Sequence, residues 1–229
     1  MSLGEITNSE FDLMGAISDE ELLGALERAT PQERKNFVRK VKQPKVIPTG
    51  RMDSRGEFEK RINLLPKDIQ QGLASKTLQA VDVAYYVTKS VAWNKVVKML
   101  KDDDNKVVGF TNISSAKLEK GNVMLLNGII LLGASNCGNG AEANYDVLPD
   151  YIRNGEFEFK ANGTTLIPLT SCEVFNTAGS TRQKGLFKLD NPKIIYDQQS
   201  MELNIEWGKT AVDNQFLKAI LVGTAVTKY

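Results

Sequence analysis

Apolar and polar residues alternate with a period of two along several stretches of the chain. Val81, Val83, Tyr85 and Val87 are interleaved with Asp82, Ala84, Tyr86 and Thr88, and Met201, Leu203, Ile205 and Trp207 with Glu202, Asn204 and Glu206. Successive side chains of a strand point to opposite faces, so each run predicts a half-buried strand. Residues 122–134 are almost continuously apolar, which predicts a strand buried on both faces, and the almost wholly apolar 216–226 reads as an interior strand. Between residues 155 and 175 the pair Asn162-Gly163 separates two extended runs. A type I′ turn needs positive φ at both central positions, and Asn followed by Gly meets that need at the lowest cost. The hairpin so predicted sets Ala161 opposite Thr164, Phe159 opposite Leu166 and Phe157 opposite Pro168. One face then carries Phe157, Phe159 and Leu166, the other Glu156, Glu158 and Lys160. Pro168 cannot donate to a ladder and predicts a bulge or a sheet edge.

Other stretches complete the pattern. Residues 107–113 read as a strand, 93–100 as strand or helix, and 186–190 as a short strand broken by Asn191-Pro192 before 194–196. Pro66 opens a short helical turn over 66–75. Near the N-terminus, Ser18 with Glu21 forms a capping box ahead of Leu22, Leu23 and Leu26, predicting a helix over 19–29. Thr30, Pro31 and Glu33 start a second helix carrying Phe37, Val38 and Val41, which ends near Pro44. Pro44, Pro48, Gly50 and Gly56 mark 43–57 as a linker or extended arm. Eight or nine strands with no helical crossovers predict an all-β fold: an antiparallel β-sandwich, a single jelly roll over 62–229, behind a helical and extended N-terminal arm over 1–61.

Charge changes this picture at the N-terminus. The net charge of +1 hides two opposed segments: residues 1–27 hold seven acids and no base, and residues 28–61 hold eleven bases and four acids, so −7 is followed by 11 − 4 = +7. Arg34, Lys35, Arg39, Lys40, Lys42 and Lys45 suit an anionic surface such as nucleic acid or phospholipid headgroups. A solvated helix face paired with the acidic helix before it accounts for the same residues.

Candidate chemistry is sparse. The chain has no histidine, which removes Ser-His-Asp and Cys-His nucleophiles and the histidine-based zinc and cupin-type centres. Cys137 and Cys172 have no C-x-x-C spacing and read as reduced thiols. Gly138, Gly140 and Ala143 fit the outline G-x-G-x-x-A, but Asn144, Tyr145, Asp146 and Pro149 follow instead of an amphipathic helix, so a surface loop is expected. In Asp102-Asp103-Asp104-Asn105 the next two positions are Lys106 and Val107, where a calcium loop needs a ligand and a glycine; the reading is a polar turn. Glu156, Glu158, Glu202 and Glu206 include carboxylates of the kind a glycosidase pairs, yet all fall on polar faces of strands, where solvated glutamate is the default. Trp93, Trp207, Tyr145 and Tyr151 are candidate stacking platforms, with Trp207 closing an apolar face and read as core. No cofactor or metal is expected, no secretory leader is visible, and the longest apolar run is too short for a bilayer.

A segregated-charge arm ahead of a sandwich whose last strands span 192–207 and 216–226 resembles the jelly-roll capsid (coat) proteins of icosahedral viruses and bacteriophages, over roughly residues 64–229. The resemblance implies a structural virion protein, not an enzyme, that self-assembles into an icosahedral shell through lateral contacts of the body and the arm. Its partners would be copies of itself and other virion proteins. The basic arm would meet nucleic acid or an internal membrane, with no small-molecule substrate, and the protein would reside in the virion after assembly in the host cytoplasm. Large membrane-containing phages that resemble this build their main coat from two fused jelly rolls, whereas this chain has room for one, so major coat and vertex or minor roles both stay open. From another class, a non-catalytic β-sandwich module binding a glycan or cell-surface partner fits the same strands.

Overall fold

Period-two patterning becomes eight strands in the described part of the chain, which in this computed structural model is residue 30 and residues 54–177, 183–211 and 213–228. They are β1 (Leu78–Ser90), β2 (Val96–Lys98), β3 (Val123–Ala134), β4 (Glu156–Ala161), β5 (Thr164–Ser171), β6 (Leu186–Ile195), β7 (Met201–Glu206) and β8 (Phe216–Lys228). Three short helices accompany them: α1 (Ser54–Glu59), α2 (Lys67–Ala74) and α3 (Asp150–Arg153). The strands form two four-stranded antiparallel sheets, in the orders β1-β8-β3-β6 and β2-β7-β4-β5. The fold is an all-β sandwich.

The inner faces of the two sheets build one core. Met124, Leu126, Ile129 and Leu131 of β3 and Leu217, Ala219 and Leu221 of β8 join a buried cluster with Phe157 and Phe159 of β4 and Met201, Leu203 and Ile205 of β7. Removing each such large side chain from water contributes about 1.5–3 kcal/mol. β3 keeps its apolar residues inward only because of a bulge. Leu126 pairs with Gly223 and Gly128 with Val222, so Asn127 is the extra residue, and the inward positions pass from even to odd numbers.

β3 is buried on its other face as well, as its unbroken hydrophobicity predicts. At one end α1 and α2 cover it: Phe58, Leu65 and Ile69 form a second buried cluster with Val123, Leu125 and Val226. Residues 54–61, the end of the stretch read from sequence as arm, therefore belong to the packing of this sheet. Pro66 precedes α2 as expected, with Asp68 in its first turn.

The Asn162-Gly163 turn forms, with φ of 51° and 73°. Its register holds only at the turn. Ala161 pairs with Thr164 and Lys160 with Thr165, but Phe159 faces Ile167 and Phe157 faces Thr170. Leu166 is one extra residue, and Pro168 with Leu169 together oppose Glu158, a two-against-one bulge at the proline on what is also an edge strand. Three further expectations are corrected. Residues 107–113 are not a strand: Gly109 takes φ 89° and the chain folds back so that the Thr111 amide donates to Val107 O at 2.9 Å. Residues 186–195 run as one strand through Asn191-Pro192, because β6 lies at an edge and the four residues 189–192 bulge opposite Asn127. Residues 172–175 form a 3-10 turn in place of strand, with the Ser171 hydroxyl accepting from the Glu173 amide.

Candidate functional site

The six basic residues that the sequence singles out, Arg34, Lys35, Arg39, Lys40, Lys42 and Lys45, lie outside the described residues. The chemistry that can be placed is on the sandwich: its polar outer face, its loops and its edges.

All four candidate glutamates fall on the outer face of the second sheet. Glu156 stands directly across from Glu206, Lys160 across from Glu202, and Glu158 across from Asn204. Lys160 Nζ lies 2.7 Å from Glu158 Oε2. These carboxylates spread along the outer sheet face, with Glu156 and Glu206 exposed.

The Gly138/Gly140 loop is a packing feature. A Cβ on Gly140 would come 2.7 Å from the Phe216 ring, while Gly138 has open space around it. Tyr145 donates its hydroxyl to Gly140 O at 2.6 Å, and Lys218 Nζ sits between the rings of Tyr86 and Tyr145, 5.1 and 5.3 Å from their centroids. Burial lifts the Tyr145 hydroxyl above its ordinary range. The short helix that follows, α3, comes after Pro149 and belongs to no dinucleotide motif.

Of the four candidate aromatics, three are occupied by their own chain. Trp207 is 3% exposed, Tyr151 meets it edge-on at 6.5 Å, and Tyr145 holds Lys218. Trp93 alone among them stands out, 70% exposed and with φ 63°. A bulky residue in the left-handed region is an outlier. Its loop is pinned from behind, the Trp93 amide donating to Ala211 O at 3.1 Å and the Trp207 amide to Lys95 O at 2.9 Å.

The β2–β3 connection, residues 99–122, carries the Asp102–Asn105 turn and seals an edge. Asp104 pairs with Lys89 and accepts the Lys101 amide, and the Ser200 hydroxyl donates to Asp102, so these two aspartates hold the turn and tie it to β1 and to Ser200. Asn112 works as a piece of strand for the edge of β1. Its Oδ1 accepts the Tyr86 amide at 2.7 Å and its Nδ2 donates to Ala84 O at 2.9 Å, while the Thr88 amide donates to Phe110 O at 2.7 Å. Beside it opens a polar cleft of about 530 Å³ lined by Tyr85, Asn112, Lys117, Asn122 and Gln198, with the exposed pair Lys106–Glu119 (2.8 Å) at its wall. That hydrogen bond draws Glu119 down and Lys106 up, and burial, then the Glu119 charge, raises the Tyr85 hydroxyl.

The edges of the second sheet are the feature that sequence reading missed. β2 exposes Val96 and follows exposed Trp93, and β5, on the far side, exposes Pro168 and Leu169, the latter at 62%. Exposed apolar side chains also occur away from this sheet, at Leu64, Val107 and Val108. The only trace in the sequence is an apolar residue beside a proline in an edge strand. Among the described residues no helix is long and apolar enough to cross a membrane. No protein-family model matches this chain, and no curated protein or solved structure matches it.

Proposed function

We propose that the sandwich is a single jelly roll and that the chain is a structural virion protein which self-assembles into an icosahedral shell. The observation that carries this reading is the strand pairing. β1 lies beside β8, β2 beside β7, β3 beside β6 and β4 beside β5, with successive pairs alternating between the two sheets. An eight-strand hairpin rolled up on itself produces that set of neighbours. Double-sheet jelly rolls of this kind serve in viral capsids, lectins and cupins. A cupin centre uses histidine ligands, and this chain has none. Of the four candidate stacking rings, Trp207 is buried and the half-buried Tyr145 and Tyr151 are engaged by Lys218 and Trp207, which leaves Trp93 for a glycan. A shell subunit uses a rigid block and a charged contact arm; the sandwich would be the block, and the segregated charge of residues 1–61 suits the arm.

The mechanism is geometric. The sandwich supplies the block, its edges supply lateral contacts to identical neighbours, and the segregated charge of residues 1–61 supplies a second, salt-sensitive contact to genome, internal membrane or an adjacent subunit. The exposed indole of Trp93 favours a second reading, a binding module for a glycan or cell-surface partner. Electron microscopy with light scattering on the purified chain across salt concentrations tests both. Shells, trimers or pentamers support assembly, and a strictly monomeric chain that binds glycans supports the module.

A further inference from the structure

We infer that the polar cleft beside the β2–β3 connection binds a small hydroxylated anion, a sugar phosphate or a sugar acid, with its oxyanion on Lys117. The residues that line the cleft belong to one copy, so this site stands apart from the shell reading.

Two observations meet there, and the first is strain. Residues 114–117 form a tight turn, the Lys117 amide donating to Ser114 O at 3.1 Å, and both central residues are left-handed, Ser115 at φ 52° and Ala116 at 49°. Asn162-Gly163 meets the same demand, at 51° and 73°, with the residue types that tolerate it best, whereas Ser115 and Ala116 each carry a Cβ that resists it. The surroundings hold the strained pair in place. The Ser115 amide donates to Asp104 O at 2.7 Å, and the buried Ala116 accepts the Met201 amide on its carbonyl at 2.8 Å. Strain that neighbours enforce in this way gathers at ligand clamps, and Ser115 forms part of the cleft wall.

The second observation is unspent hydrogen-bonding capacity. Asn112 uses both ends of its amide on β1, and Lys106 and Glu119 hold each other. The side chains of Tyr85, Ser114, Ser115, Lys117 and Asn122 also line the cleft, and none makes a hydrogen bond or ion pair with a described residue. Charge and volume select the ligand. With Lys106 and Glu119 cancelling, Lys117 leaves the lining with one net positive charge, and the three hydroxyls and the Asn122 amide can all donate beside it. Donors around an ammonium suit an oxyanion. At about 530 Å³ the cleft exceeds what a bare phosphate fills and falls in the range of small-molecule sites. The rest of the ligand must carry hydroxyls, because an apolar body would leave the amide oxygens of Asn122 and Gln198 unpaired.

Titration calorimetry on the full-length chain at fixed ionic strength tests this, with glucose 6-phosphate, glucuronate, inorganic phosphate and uncharged glucose as probes. One of the two sugar anions is expected to bind about tenfold or more tightly than glucose, and the better of them identifies the head group as phosphate or carboxylate. Lys117→Gln is expected to weaken that binding by about tenfold or more, while Lys98→Gln, at an exposed lysine of β2, leaves it unchanged. Should Lys117→Gln unfold, Lys117→Met keeps the apolar stem and carries the same comparison. Ser115→Gly removes the hydroxyl and the strain together, so it is expected to melt higher and bind more weakly. A Ser115→Gly chain that melts higher and binds like wild type overturns the role of the strained turn. Inorganic phosphate binding as tightly as glucose 6-phosphate overturns the hydroxylated body. Neither sugar anion binding at about 10 mM, or binding unchanged in Lys117→Gln, overturns the site.

Discussion

Glu156 and Glu206 stand directly opposite each other on the outer face of the second sheet, two carboxylates in one cross-strand pair. Like charges in that position repel. Glu206→Lys turns the repulsion into attraction and is expected to raise stability by about 0.2–1 kcal/mol. Urea denaturation of Glu206→Lys beside Glu206→Gln measures it. A loss of stability in both would mean that the pair is held together by something other than the sheet, such as a shared cation.

Gly223 is a packing requirement in the middle of β8. A Cβ there would lie 2.0 Å from Leu125 O and 3.1 Å from Met124 Cε, and the nearest obstacle is backbone, which cannot swing away. Gly223→Ala should cost about 1–3 kcal/mol or more through forced backbone movement. Gly138→Ala, with nothing within 4 Å, is the control and should change little. Thermal melts of the two variants decide the matter.

Phe58 ties α1 to the sheet with 2% of its surface exposed. Phe58→Ala should cost about 3–5 kcal/mol. Removing residues 1–53 should leave the sandwich stability near that of the full chain, while removing 1–61 uncovers Val123, Leu125 and Val226 and should destabilise it measurably in chemical denaturation. Equal stability of the two truncations would show that the helical cover contributes nothing.

Cys172 is fully buried, and burial, reinforced by the Glu156 charge, pushes its thiol up to about 12, whereas Cys137 is partly exposed. Only the thiolate reacts, so at pH 8 a thiol reagent should modify one cysteine per native chain and two after denaturation. The raised value also fixes a sign. The buried thiol keeps its proton where the unfolded one, near 9, has lost it, so stability is intact below about pH 9 and falls as the pH climbs toward about 12. Cys172→Ala should flatten that alkaline fall in pH-dependent melts.

The sequence by itself determined the elements whose cause is local. The alternation in β1 and β7, the two-sided hydrophobicity of β3, the interior place of β8, the Asn162-Gly163 turn and the proline at a bulged edge all follow from strand periodicity and backbone sterics, and each stands where the pattern puts it. Beyond the β4–β5 hairpin, tertiary structure alone decided which strand lies beside which, because pairing is a contest between distant segments for backbone partners. It made Asn112 an edge cap where residues 107–113 read as strand, carried β6 through Pro192 because an edge tolerates a missing donor, and moved the hairpin register by two bulges. It also left Trp93 and Leu169 uncovered, since exposure is a property of the assembled surface and has no signature in a run of neighbouring residues.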